Sequence, residues 1–121
     1  MDVQTMLRTA VVLLGLTALG GLANAAFRFG GRPHPPAWLA MMHGLVAASG
    51  LTLLLYAGVT GHVRNEVWLG LALLVLAALG GMTLNLAYHM RNRELAIWLV
   101  LVHAAVAAVG YADLVYAVWF A

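Results

Sequence analysis

The residues of this chain best suited to chemistry are two histidines, His43 and His103, set sixty positions apart in matching surroundings. Trp38-Leu39 precedes the first and Val46-Ala47-Ala48, Gly50, Leu54 and Tyr56-Ala57 follow it. Trp98-Leu99, Val106-Ala107-Ala108, Gly110, Leu114 and Tyr116-Ala117 stand at the same spacings around the second. Upstream, Leu13-Leu14, Leu16 and Ala18-Leu19-Gly20-Gly21 recur at 73–74, 76 and 78–81. Shared Leu and Ala follow from composition alone, whereas a matched Gly-Gly, Trp, His, Gly and Tyr mark an internal repeat. A neutral imidazole is a good nitrogen donor to a metal. Two of them at one depth, aimed at each other, suit the two axial positions of a flat metal macrocycle.

The elements that must position this pair follow from composition. The chain has 121 residues, of which 64% are hydrophobic and only 8% charged, far outside the range of soluble globular domains. It is expected in a bilayer as a single transmembrane domain, residues 1–121. Without cysteine, disulfides, thiolate metal sites, iron–sulfur clusters and thiol catalysis are excluded. Six arginines, no lysine and four acids leave a net charge of +2, which points to membrane topology and to no nucleic-acid partner. Apolar stretches at roughly 7–27, 37–58, 66–88 and 95–119 are each long enough to cross a hydrocarbon core of about 30 Å. In lipid such segments are helices. The short connections Arg28–Pro36, Val59–Asn65 and Met90–Glu94 predict antiparallel neighbours, hence an all-α four-helix bundle made of repeats 8–61 and 68–121.

Positive loops stay cytoplasmic. Arg28, Arg32, Arg91 and Arg93 on one side against Arg8 and Arg64 on the other place both termini outside, in a bacterial-type inner membrane. Arg8, the apolar run Ala10–Leu19 and Ala23-Asn24-Ala25 resemble a signal peptide, but the match of 16–21 to 76–81 makes this segment the first span. Two hairpins in one orientation imply a two-fold axis along the membrane normal, which sets His43 and His103 at equal depth on facing sides. Gly20, Gly21, Gly80 and Gly81 fall in that layer and are expected to make room for a macrocycle, since glycine removes the side chain where backbones would collide. Gly50 and Gly110, two turns after each histidine, either accept a ring edge or let helices approach. The four arginines at the mouth suit bidentate binding of two carboxylates.

Other polar residues carry weaker expectations. His34 and His89 lie on the arginine-rich side at positions the repeat does not pair, and are candidates for a proton or quinone path or for simple solvent exposure. Asp113, the one acid inside a predicted span, belongs to such a path or is neutralised by Arg8, His62 or Arg64. Asn24, Thr83 and Asn85 can hydrogen-bond a ligand or a neighbouring helix. Met41-Met42-His43 offers thioethers to copper, but the second copy reads Leu101-Val102-His103 and consecutive helical residues splay apart. Trp38, Trp68, Trp98, Trp119, Tyr56 and Tyr116 are expected as interfacial anchors.

The histidine pair and its glycines resemble membrane-embedded b-type cytochromes, in which histidines from two helices of a four-helix bundle hold a haem. The two-haem members carry a second histidine a little over a dozen residues along each ligand helix; here those positions are Tyr56-Ala57 and Tyr116-Ala117. The resemblance therefore implies one haem b between His43 and His103, and electron transfer between the quinone pool or a dehydrogenase and a redox partner protein. With two axial ligands the iron keeps no open position for a substrate, so an electron carrier or a subunit of an oxidoreductase complex is expected rather than a stand-alone enzyme. Two alternatives are a small proton or cation transporter or channel, and an accessory subunit of a respiratory or photosynthetic complex. Homo- or hetero-oligomers are compatible with each.

Overall fold

A computed structural model describes all residues from Met1 to Ala121. It is all-helical, with no strand. The helices are α1 (Val3–Phe29), α2 (Ala37–Thr60), α3 (Asn65–Thr83, prolonged to Arg91 by a π-helical and a 3-10 turn) and α4 (Ile97–Trp119). Each is long and apolar enough to cross a membrane. The expected stretches are all present; the first three run somewhat longer, and α4 starts two residues later than expected. α1 starts early because Asp2 caps it: its carboxylate accepts the Thr5 N–H at 2.8 Å and the Thr5 hydroxyl at 2.9 Å. Those bonds hold the Asp2 carboxyl below its ordinary range, so the cap acts above the unfolded pKa and fades as the pH falls through the lowered one.

α1 packs along α2 and α3 along α4, while α1 also meets α4 and α2 meets α3. The helices thus stand at the corners of a square, with α2 and α4 on one diagonal. The interior positions of α2 and α4 match: 43, 47, 50, 54, 57 and 103, 107, 110, 114, 117. These alternating steps of four and three hold one stripe toward the bundle axis. The buried core occupies one half of the bundle, built from Met6, Leu7, Ala10, Val11, Leu14, Leu54, Ala57, Val67, Leu71, Leu74, Leu114, Ala117 and Val118. Toward the arginine-rich end only Leu84, Leu95 and Val100 form a second, smaller cluster. The outer faces carry large exposed apolar side chains, among them Leu16, Leu19, Leu69, Leu76 and Leu101, the reverse of a water-soluble bundle.

Gly50, Gly70 and Gly110 set the helix spacing in the core half. A Cβ on Gly50 would lie 2.8 Å from Leu14 Cγ, and one on Gly110 would lie 2.9 Å from Leu73 Cβ and 3.3 Å from the Gly70 carbonyl oxygen. Of the two roles expected for Gly50 and Gly110, close helix approach is the one observed.

The two hairpins differ at the end of α3. Leu84–Tyr88 is π-helical, whereas 24–28 in α1 stay α-helical. A π turn takes in one extra residue, so equivalence between the hairpins slips from sixty to sixty-one beyond it. Gly31 (φ 96) and Asn92 (φ 53) are the left-handed residues that end the two helices. The Arg32 N–H donates to the Phe27 carbonyl at 3.0 Å, and the Arg93 N–H to the Tyr88 carbonyl at 2.8 Å. Arg32 lies over the Phe27 ring and Arg93 over the Tyr88 ring, at 5.5 and 5.0 Å. Counted from these left-handed residues, loop 3 (92–96) is one residue shorter than loop 1 (31–36), so α2 and α4 begin at equivalent positions.

Leu54 and Leu114 are completely buried at equivalent points of the core. Replacing either by Ala is expected to cost about 2–4 kcal/mol in unfolding of the detergent-solubilised protein. Leu19→Ala, at a position 64% exposed, is expected to cost much less. Equal losses at the three positions would contradict this division between core and outer face.

Candidate functional site

His43 and His103 project from opposite corners of the square into the half of the bundle where the core thins. Their ring centres are 6.2 Å apart with the planes inclined at 77°. Each ring is held from behind by the other helix of its own hairpin. His43 Nδ1–H donates to the Thr17 carbonyl at 2.9 Å, and His103 Nδ1–H donates to the Ala77 carbonyl at 2.7 Å. A carbonyl only accepts, so each neutral ring carries its proton on Nδ1 and keeps its lone pair on Nε2. The acceptors are backbone carbonyls, which is why no side-chain motif announced Thr17 and Ala77. The only trace in the sequence is the identical span of 26 residues from acceptor to histidine in both halves.

The paired glycines serve these rings. A Cβ on Gly21 would lie 2.9 Å from His43 Cε1, and one on Gly81 would lie 3.0 Å from His103 Cε1. Gly20 and Gly80 each leave 3.8 Å to the Cβ and Nδ1 of the corresponding histidine. Gly20, Gly21, Gly80 and Gly81 were expected to make space for a macrocycle edge; what occupies the space beside them is imidazole.

An ion held by two imidazole nitrogens at about 2 Å each needs ring centres about 6 Å apart with both Nε2 atoms facing it; the ring centres here lie 6.2 Å apart. No group of three or more His, Cys, Asp or Glu gathers anywhere.

The arginine-rich mouth is organised differently from the sequence expectation. Arg28 forms a salt bridge with Glu94, and its Nε–H donates to the Leu95 carbonyl at 2.8 Å. The Leu95 N–H donates in turn to the Pro33 carbonyl at 2.9 Å. These bonds tie loop 1 to loop 3 and commit Arg28 to the tie. Arg32 and Arg93 lie over their own aromatic rings, and Arg91 is exposed. His34 and His89, which the repeat left unpaired, stack with ring centres 4.3 Å apart and an interplanar angle of 25°. The sequence hides the pair because the π turn at Leu84–Tyr88 shifts the register, making His89 the equivalent of Arg28.

At the opposite end Asp113 has a buried Oδ2 without a hydrogen-bond partner, close to Gly70. Neutralisation by Arg8, His62 or Arg64 is not what forms. Arg8 lies 5.9 Å from the Trp119 ring centre, Arg64 pairs with Glu66 at 2.9 Å, and His62 is exposed. Asn24 Oδ1 is likewise buried and unpartnered, one turn beyond Gly20-Gly21. Thr83 is bonded to its own helix at the Leu79 carbonyl. Trp38, Trp68, Trp98, Tyr56, Tyr116 and Trp119 are exposed on the outer faces, and Trp68 also covers Gly58.

Valine at Gly21 or Gly81 must displace an imidazole and break its bond to Thr17 or Ala77. Each substitution is expected to lower the melting temperature by roughly 5–15 °C. Gly44→Val, where a side chain meets nothing within 4 Å, is the control expected to leave it nearly unchanged. A loss at position 44 as large as at 21 and 81 would contradict the role given to the glycine pairs.

In comparison with known proteins, no family, no curated protein and no solved structure matches the chain.

Proposed function

We propose that this chain is a duplicated helical hairpin embedded in a bacterial-type inner membrane, and that it binds one haem b between His43 and His103 for electron transfer. The observation that supports the proposal is the pair itself: two imidazoles on diagonal helices, each bonded at Nδ1 and free at Nε2, with ring centres 6.2 Å apart. A bound haem would supply one-electron chemistry at its iron.

The chain's own residues do the rest. Thr17 and Ala77 orient the rings and fix their tautomers, and a hydrogen bond at the far nitrogen makes an imidazole a better donor. The glycine pairs let the rings stand upright between helices. Thinning of the core beyond Leu14, Leu54, Leu74 and Leu114 leaves the hairpins least tightly packed at this depth, where a macrocycle would need room. Arg32, Arg91 and Arg93 are the guanidinium groups at the mouth not tied to Glu94, and are the propionate partners in this scheme. Tyr56 and Tyr116, where the two-haem cytochromes place further histidines, restrict the protein to a single haem. The electron donor and acceptor are a quinone, a dehydrogenase or another redox protein, since almost no chain lies outside the helices.

Proton or cation transport is the alternative with an observation of its own, the buried unpartnered oxygen of Asp113. That carboxyl stands in the core half, on the other side of the packed layer from the histidines, which favours the haem assignment for the pair.

Haem added to the purified protein is expected to bind at one equivalent and to give a Soret band that shifts on dithionite reduction. His43→Ala and His103→Ala are each expected to abolish that band while keeping wild-type helical content. A folded wild-type protein that remains colourless would overturn the proposal.

A further inference from the structure

His34 and His89 take no part in the proposed haem site, and their arrangement carries a separate inference. They come from different hairpins, His34 from loop 1 and His89 from the last turn of α3, and stack at 4.3 Å. With the register shift at the π turn taken into account, His89 corresponds to Arg28. Arg28 reaches across to loop 3 and grips Glu94 and the Leu95 carbonyl; His89 reaches across to loop 1 and meets His34. The two loops are therefore joined by two related ties. One is an ion pair of fixed charge, and the other is made of the only side chains whose charge changes between about pH 5 and 8.

We infer that the His34–His89 stack is a proton-binding site at the arginine-rich end of the bundle, taking up one proton with the loops joined and a second only by parting them. His34 Nδ1–H is held by the Pro35 carbonyl at 3.2 Å, so its Nε2 is the atom open to a proton. One imidazolium lying on one neutral imidazole is a favourable cation–π arrangement. Two imidazolium rings at this separation repel, and nothing nearby offsets them. The ionisable groups of the surrounding segments are Arg28 at the end of α1, Arg32 in loop 1, Tyr88 and Arg91 at the end of α3, and Arg93 and Glu94 in loop 3. Glu94, the only acid among them, is engaged by Arg28. The first turns of α2 and α4 contribute no ionisable side chain. The tie beside the stack is the Leu95 N–H bond to the Pro33 carbonyl, adjacent in sequence to His34, so separation of the rings strains that bond first.

The test is a titration of the full-length protein in nanodiscs, following imidazole nitrogen shifts with histidine-selective labelling together with exchange of the Leu95 amide. The wild type is expected to take up the two protons of this pair in steps more than about one pH unit apart, with Leu95 exchange, corrected for intrinsic rate, rising across the second step. In His34→Ala and His89→Ala the remaining ring is expected to titrate in one step. Uptake of both protons by the wild type in a single step, or Leu95 exchange that stays flat while the second proton binds, would overturn the inference. Both results are read on the wild type and do not depend on the variants folding.

Discussion

The interior of this bundle depends on two hydrogen bonds from imidazole to backbone, His43 to Thr17 and His103 to Ala77. A histidine in an apolar span is costly unless its polar atoms find partners. Here each ring places one nitrogen on a carbonyl of its own hairpin partner and keeps the other free. A carbonyl inside a helix already accepts the bond of the next turn and has a second lone pair to offer. The ring can reach that lone pair only if the facing helix carries no side chain in between, so the bond requires Gly21 and Gly81, whereas a Cβ at Gly20 or Gly80 would make ordinary contact at 3.8 Å. The bond also fixes which nitrogen holds the proton, and so fixes the chemistry the pair can support.

From this constraint the rest of the bundle divides into working halves. In one half, Gly50, Gly70 and Gly110 bring the helices close, and Leu14, Leu54, Leu74 and Leu114 fill the axis to the density of a protein interior. In the other, the axis holds rings and small residues, and the hairpins are joined mainly by their loops. Such a bundle is densely packed where the helices meet and more loosely filled where the histidines face each other.

Much of this was legible in the sequence, for reasons of different strength. The four helices were visible because apolar runs of that length have few other solutions, and at the start of α1 the Asp2 cap added a turn. The His43–His103 pair was visible because the repeat preserves spacing on both sides of it. The purpose of Gly20-Gly21 and Gly80-Gly81 was only half visible: the sequence marks a missing side chain but not the neighbour that uses the space. At the mouth two partnerships were hidden. An unbroken sixty-residue register would set His89 opposite Phe29, and one π turn at Leu84–Tyr88 cancels that register where the loops meet. Arg28 was likewise assigned to a ligand because its carboxylate partner, Glu94, lies in a different loop of the other hairpin. Asp113 stands without the cations expected beside it because each of them has a nearer partner or faces outward.

Ligation of one iron by both imidazoles is most directly tested by low-temperature electron paramagnetic resonance of the oxidised, haem-loaded protein. A low-spin ferric signal typical of two imidazole ligands is the predicted result. A high-spin, five-coordinate signal in the wild-type protein would mean that the two rings do not share the metal and would contradict the account.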